Sequence, residues 1–285
     1  MTIHLNTTAV VRLVTSDPEE FWRDAKPILL KAEAENCLLI GKIMNAIGSP
    51  DDASGRRFFL YMRRDDFAAG MCNLKTQNLV LGSSSPGLIE EVLNLLKNTR
   101  ARLAQVIGPQ EAVQLLIQST SLFEQPLNRL LGLSLYELNQ VNTFAFPSGR
   151  FRRVTAKDMP TIAEWTMEFV REALLQTPTQ NKEELEKSLD KKTHFVWHND
   201  KPVSMASYTG ETPNGARIVG VYTPPESRGK GYGAACVAEL CSVILKEGKT
   251  RVYLFADSHN PQSNHIYQKI GFNVVGQFVQ YRTAN

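Results

Sequence analysis

Only four cysteines, Cys37, Cys72, Cys236 and Cys241, are spread through 285 residues, and no two form a C-x-x-C pair. That scarcity argues against a disulfide framework or a cysteine-built zinc site and makes a reducing cytoplasm the natural compartment. No apolar run approaches the ~18 residues that span a bilayer. The opening residues, Met1 to Asn6, lack the basic and apolar regions of a secretory signal. Charge of one sign is also short: 32 Lys and Arg face 29 Asp and Glu, a net of +3, with no basic stripe of the kind that follows a nucleic acid. Neither a membrane nor a nucleic acid is therefore expected as partner. What is present, 42% hydrophobic and 21% charged residues, fits a globular chain long enough for two domains.

One stretch organises the rest. Ile218 to Tyr222 is a short apolar run rich in β-branched residues and predicts a strand. Thr223-Pro224-Pro225-Glu226-Ser227 ends it, because two prolines remove two backbone donors. Arg228-Gly229-Lys230-Gly231-Tyr232-Gly233 follows and opens a run at helical spacing that reaches Leu245. Strand, glycine loop and helix start together form a phosphate-binding device. Loop amides converge, glycines admit a ligand, and the helix dipole favours negative charge. Arg228 and Lys230 add positive charge at the same place.

Three ligands compete for such a loop. A Walker loop fails, since Gly231 stands where the magnesium-binding hydroxyl should follow Lys230. A dinucleotide fingerprint can be read as Gly229-x-Gly231-x-x-Ala234, with Asp257 at the end of the next strand as the ribose acid. Against it stand the inserted Thr223 to Ser227 and the short remainder of chain after Asp257. Acyl-coenzyme A is the third reading, and a resemblance supports it. Val221 to Gly233 resembles the pyrophosphate loop of the GNAT acyltransferase superfamily, written R/Q-x-x-G-x-G/A and matched by Arg228, Gly231 and Gly233. Downstream, Leu254 to Phe272 resembles the same family's strand, Asn, Tyr-bearing helix and Gly-Phe turn, through Asn260, Tyr267 and Gly271-Phe272. The clear resemblance covers about residues 150 to 285.

That resemblance implies an α/β fold with a mixed sheet and acetyl-coenzyme A as co-substrate, without a metal. The loop backbone of Arg228, Gly229, Lys230, Gly231, Tyr232 and Gly233 would hold the pyrophosphate. Val221 and Thr223 would pair with the pantetheine arm where the sheet splays, Asn260 and Ser263 would reach the coenzyme, and Tyr267 would be the general acid on the leaving thiolate. Asn260, followed by Pro261, is also a natural helix cap. No Cys–His arrangement argues for a covalent acyl-enzyme, so direct transfer to a small-molecule or peptide amine is expected. The general base is missing from its usual place: Arg217 to Thr223 carries no carboxylate. Glu168, Glu172, Glu211 and Asp257 are the substitutes, each also readable as an ordinary solvated carboxylate. A non-catalytic acyl-coenzyme A-binding protein is the alternative, favoured if Tyr267 faces the core and no acceptor cleft exists.

The first half reads as its own α/β unit. Pro18 to Ile47 predicts two helices joined near Glu35-Asn36, Arg57 to Arg63 and Gly70 to Leu81 predict strands, and Ser85 and Pro86 open a helix. Arg102 to Ile107 predicts a strand, Pro109 to Ser119 a helix, and Leu131 to Val141 a strand leading to a junction at Phe144 to Gly149. In the second half, Phe151 to Thr155, His194 to Asn199 and Pro202 to Glu211 predict strands, with helices up to Leu175 and over Lys182 to Lys191. The two orders echo each other. The expectation is a tandem pair, a degenerate GNAT-like domain over 1–143 and a catalytic one over 144–285, with Gly82 to Gly87 standing where the second half has Arg228 to Gly233.

Overall fold

A computed structural model describes residues 10–48, 55–118, 122–123, 125–174, 177–189 and 193–283. It divides into two compact units, Met1–Leu133 with Gly276–Asn285, and Ser134–Val275. Met1 to Asn6, Ser119, Leu175 and Lys191, which figured in the sequence reading, lie outside the described residues.

The first unit opens with strand β1 (Val11–Thr15) and helix α1 (Pro18–Leu29). Asp17 caps α1, accepting from the amides of Glu19 (2.9 Å) and Glu20 (3.2 Å), and Pro18 sits where its missing N–H costs nothing. Pro27 lies inside α1, and a tight turn at Leu30–Ala32 separates it from α2 (Glu33–Gly48). The break thus falls before Glu33 and not at Glu35-Asn36: Pro27 cannot donate within the helix, and the chain re-enters helix a few residues later. A meander follows, β2 (Arg56–Arg63), β3 (Asp66–Asn73) and β4 (Asn78–Ser84), each pair antiparallel. Helix α3 (Ile89–Asn98) carries the chain to β5 (Gln105–Pro109), which runs parallel to β4, and α4 (Gln110–Ile117) follows directly.

Strand β6 (Leu127–Leu138) begins in the first unit and ends in the second. The second unit then repeats the scheme. Strand β7 (Arg150–Arg153), helices α5 (Met159–Glu172) and α6 (Lys182–Ser188), and strands β8 (His194–Asn199), β9 (Lys201–Thr209) and β10 (Gly215–Tyr222) pair antiparallel in turn. Helix α7 (Tyr232–Lys246), strand β11 (Arg251–Asp257) parallel to β10, and helix α8 (Pro261–Ile270) complete it. Strand β12 (Asn273–Thr283) returns to the first unit and pairs antiparallel with β5, Gln280 opposite Ile107. The strand order is therefore β1-β2-β3-β4-β5-β12 in the first unit and β6-β11-β10-β9-β8-β7 in the second.

The units thus divide at Leu133 and take back the last ten residues, in place of the expected split into 1–143 and 144–285. The Phe144 to Gly149 segment looked like a linker from its Pro, Ser and Gly. It lies well inside the second unit, held by Asn142, whose amide donates to Ile270 O (2.8 Å), and by Trp197, whose indole donates to Ser148 O (3.0 Å).

In the second unit, α7 contributes more buried core residues than any other element. Ala235, Val237, Ala238, Leu240 and Cys241 are fully buried against β8, β9 and β10. A fully buried Val or Leu contributes about 1.5–3 kcal/mol, so this face fixes the direction in which the amino end of α7 points. Burial also pushes the Cys236 and Cys241 thiols up, which leaves them inert packing groups.

Candidate active site

The parallel pairing of β10 with β11 runs from Gly215 opposite Arg251 to Ile218 opposite Leu254 and stops there, although both strands continue. At the same point β10 shifts register against β9: Val219 faces Ser207, but Tyr222 faces Met205. Gly220, in the gap, adopts φ +59, a conformation open to glycine at little cost. Val221 therefore sits in the break of one ladder and beyond the end of the other. Two serines on β9 brace the bulge. Ser207 donates its hydroxyl to Val219 O (3.0 Å), and Ser204 donates to Tyr222 O (3.2 Å) and so accepts from the Thr223 hydroxyl (2.9 Å). Neither serine belongs to a motif; their only mark in the sequence is a small hydroxyl among the apolar residues of β9.

The glycine loop follows. Pro225 to Ser227 forms one tight turn, closed by the Arg228 amide on Pro225 O (3.2 Å). Gly229 at φ +75 and Gly231 at φ +80 then swing the chain into α7, whose first closing bond here is Ala235 N–H on Gly231 O (3.0 Å). Between these bonds the amides of Gly229, Lys230, Gly231, Tyr232, Gly233 and Ala234 find no acceptor among the described residues. Backbone donors gathered at a helix amino end, beside glycines whose surroundings are open, form an anion nest.

The side chains of the loop do other work than expected. The Arg228 guanidinium is engaged within the protein: Nε donates to Thr223 O (2.9 Å), Nη2 pairs with Glu172 Oε2 (2.6 Å), and the group lies 5.7 Å from the Tyr222 ring. Lys230 Nζ donates to Glu226 O (3.1 Å). Tyr232 is buried, its hydroxyl accepting from Asn199 Nδ2 (3.0 Å). These three side chains thus hold the shape of the loop and leave its backbone amides without an acceptor among the described residues. Thr223 likewise has its carbonyl taken by Arg228.

On α8, Asn260 is the cap that its neighbour Pro261 predicts, accepting from Ser263 N–H (3.1 Å). The amide of Ser263 is thereby used. Asn264 donates to Asp257 O (3.2 Å) and Ser258 O (3.3 Å), tying α8 to the end of β11. Tyr267 lies against the core, its ring centroid 5.8 Å from Tyr136 and 6.0 Å from Phe272. Its hydroxyl makes no hydrogen bond among the described residues. Burial, with smaller contributions from Tyr136 and Cys241, pushes the phenol up to about 12, so it carries its proton throughout the physiological range.

The candidate bases are mostly spoken for. Glu168 pairs with Arg171 (2.6 Å), Glu211 with Lys249 (3.1 Å), and Asp257 accepts from the amide of His259 (2.9 Å). Glu172 holds Arg228 and accepts from the Tyr222 hydroxyl (3.4 Å). Burial, then the charge of Glu172, raises the Tyr222 phenol above its ordinary value.

The first unit has the same break in its sheet. Its parallel pairing ends at Val80 opposite Ile107, and β4 shifts register between Leu81, opposite Gly70, and Ser84, opposite Ala68. Matching the two bulges sets Val219 on Leu81, Gly220 on Gly82, Val221 on Ser83 and Pro224 on Pro86. Gly82 to Gly87 therefore corresponds to Gly220 to Pro225, not to Arg228 to Gly233. After the turn at Pro86–Leu88 the chain enters α3 at once, so the first unit lacks the nest altogether. Ser85 does not cap that helix; its hydroxyl instead accepts from Phe67 N–H (3.3 Å). The gap is filled by the fully buried Asn36 of α2, whose Oδ1 accepts from Ser83 N–H (2.8 Å) while Nδ2 donates to Leu29 O (3.0 Å).

A bulged, splayed pair of parallel strands leading to an amide nest defines the second unit as an acetyltransferase-type α/β fold. The model of the acetyltransferase (GNAT) family matches residues 159–272. Those residues form an acetyltransferase domain of the GNAT family. Over 98 residues, 34% of this chain and 31% of the relative, the sequence is 29% identical to the mycothiol acetyltransferase of Kocuria rhizophila. The matched stretch thus spans about a third of that protein's length. A GCN5-related N-acetyltransferase from Sphaerobacter thermophilus is 17% identical, covering 96% of this chain and 95% of its own, with a TM-score of 0.57. A Drosophila protein of known structure is 11% identical, covering 96% of this chain and 98% of its own, with a TM-score of 0.61. At these identities the structural likeness is one of fold. No helix among the described residues is long and apolar enough to cross a membrane.

Proposed function

We propose that the protein is an acetyl-coenzyme A-dependent N-acetyltransferase that moves the acetyl group directly from the thioester to a primary amine. The observation that carries this reading is the run of unpaired amides from Gly229 to Ala234, placed where β10 and β11 part. A pyrophosphate on the nest leaves the pantetheine arm to run into the opening. There the backbone of Val221 and the remaining N–H of Thr223 pair with it, and the Val221 amide polarises the thioester carbonyl. The neutral acceptor amine attacks that carbonyl, the C–S bond breaks as Tyr267 gives its proton to the leaving thiolate, and the proton lost by the nitrogen returns through solvent to the Tyr267 phenolate. Arg228 and Lys230 act by shaping the loop, and Asn260 by fixing the start of α8 beside it.

The first unit is, on this reading, a degenerate copy that has kept the sheet scheme and bulge without the nest. A second reading, a non-catalytic acyl-coenzyme A-binding protein, draws on the packing of Tyr267 against Tyr136 and Phe272 and on the carboxylates already paired. A thermal-shift titration with acetyl-coenzyme A, coenzyme A, NADH and ATP tests the ligand. At ~100-fold above the dissociation constant the two coenzymes should add about 2.7 kcal/mol of stability. A rise with NADH alone, or no rise, sinks the proposal. Release of free thiol in an amine screen then separates enzyme from binder.

A further inference from the structure

Resting on that reading of the nest, we propose that Phe146 is the platform on which the adenine of the coenzyme stacks. Large apolar side chains in the second unit are otherwise mostly covered, yet Phe146 keeps 43% of its surface exposed. It belongs to the strap Phe144-Ala145-Phe146-Pro147-Ser148, which passes beside the glycine loop: Pro147 Cδ comes within 4.0 Å of where a Cβ on Gly231 would stand.

The strap is built to hold that ring in place. Phe146 makes T-shaped contacts with Phe144, at 5.0 Å between ring centroids, and with Trp197, at 5.8 Å, which hold the ring in place while 43% of its surface stays exposed. Ser148 O accepts the Trp197 indole N–H (3.0 Å), and Ser148 Oγ accepts from Asn199 Nδ2 (3.4 Å). Asn199 Nδ2 also donates to the hydroxyl of Tyr232, the first residue of α7 (3.0 Å). One side chain thus links the strap to the residue whose amide belongs to the nest. Gly149 at φ +116 ends the strap where any Cβ would lie 2.6 Å from Trp197 Nε1, so the path of the strap is fixed on both sides.

Once pyrophosphate occupies the nest and the pantetheine enters the sheet, the adenosine is what remains outside. A purine needs no hydrogen-bond reader to be held; an aromatic face suffices, at about 1–3 kcal/mol per base by alanine substitution. The strap offers such a face next to the phosphates, on an element that the family's loop motif does not include.

The test is calorimetric binding of coenzyme A and of 4′-phosphopantetheine, which lacks the adenosine, to the wild type, Phe146→Ala and Phe146→Trp. Phe146→Ala should weaken coenzyme A about tenfold and leave 4′-phosphopantetheine within about twofold, while Phe146→Trp should restore coenzyme A. Unchanged coenzyme A affinity in Phe146→Ala overturns the platform, as does an equal loss for both ligands. A wild type that binds no coenzyme A overturns the nest reading itself, and the platform with it.

Discussion

Two bulges in one chain share a geometry and differ in what fills them. In both units the parallel pair separates one residue before the bulge, at Ile218 and at Val80. In the second unit the space leads to a glycine loop with its amides unused. In the first, the amide of Ser83, the counterpart of Val221, is bonded to Asn36, and a Cβ on Gly82 would lie 2.4 Å from the Asn36 oxygen. A side-chain amide from the protein itself thus occupies the place where, in the other unit, a coenzyme amide or thioester would sit. The helices that follow differ in the same sense. Seven residues beyond its cap, α8 has Tyr267 and α4 has the buried Leu116. A shared opening is therefore not enough to make a site; donors left unpaired beyond it are what separate the two.

The largest expected effect is on Tyr267. Tyr267→Phe should lower kcat about 10²-fold or more, as loss of a general acid does, with coenzyme affinity unchanged. Because the phenol is raised to about 12, it stays protonated well past neutrality. Activity should accordingly show no fall between about pH 7 and pH 10 from this group. Turnover within threefold of wild type would remove Tyr267 as the acid and erase its contrast with Leu116.

Next in size, Gly231→Val should weaken coenzyme A by at least about 100-fold. A β-branched residue is ill suited to φ +80, so the loop must rearrange and its amides diverge. The same titration sharpens the comparison, since the wild type should bind one coenzyme A per chain. Binding that survives in the variant, or a second equivalent in the wild type, would show that the first unit's gap is open after all.

The smallest effect concerns the plug. Asn36→Ala strips the part-buried Ser83 N–H and the buried Leu29 O of their partner. It should cost about 2–3 kcal/mol in denaturant unfolding, with coenzyme affinity of the second unit unaltered. A loss below about 0.5 kcal/mol would mean that water replaces the side chain, so that the gap is not truly filled.

Much of this was legible in the residues. Alternating apolar runs and the Pro and Gly breaks marked most elements of both units, and the loop, the cap at Asn260 and the Tyr-bearing helix were readable as motifs. What escaped has a physical cause. Strand β1 is only five residues long, and its pairing with β2 is non-local. The correspondence of Gly82 with Gly220 is set by hydrogen-bond register, which glycine content imitates but does not determine. The partners of Arg228 are Glu172, remote in sequence, and the Thr223 carbonyl, pairings that no local motif shows. Asn36 was hidden for the same reason, since its partners Leu29 and Ser83 lie on other elements.

The path of β12 bears on how the chain is made. Residues Phe278 to Arg282 complete the strand order of the first unit by pairing with β5, yet they are synthesised only after the second unit. At about 5–20 residues per second, roughly 10–30 s separate the synthesis of β5 from the arrival of its neighbour. For that interval the edge of β5 stands unpaired while the whole second unit is being made. The order of manufacture thus runs opposite to the order of completion: the unit begun first is the one finished last.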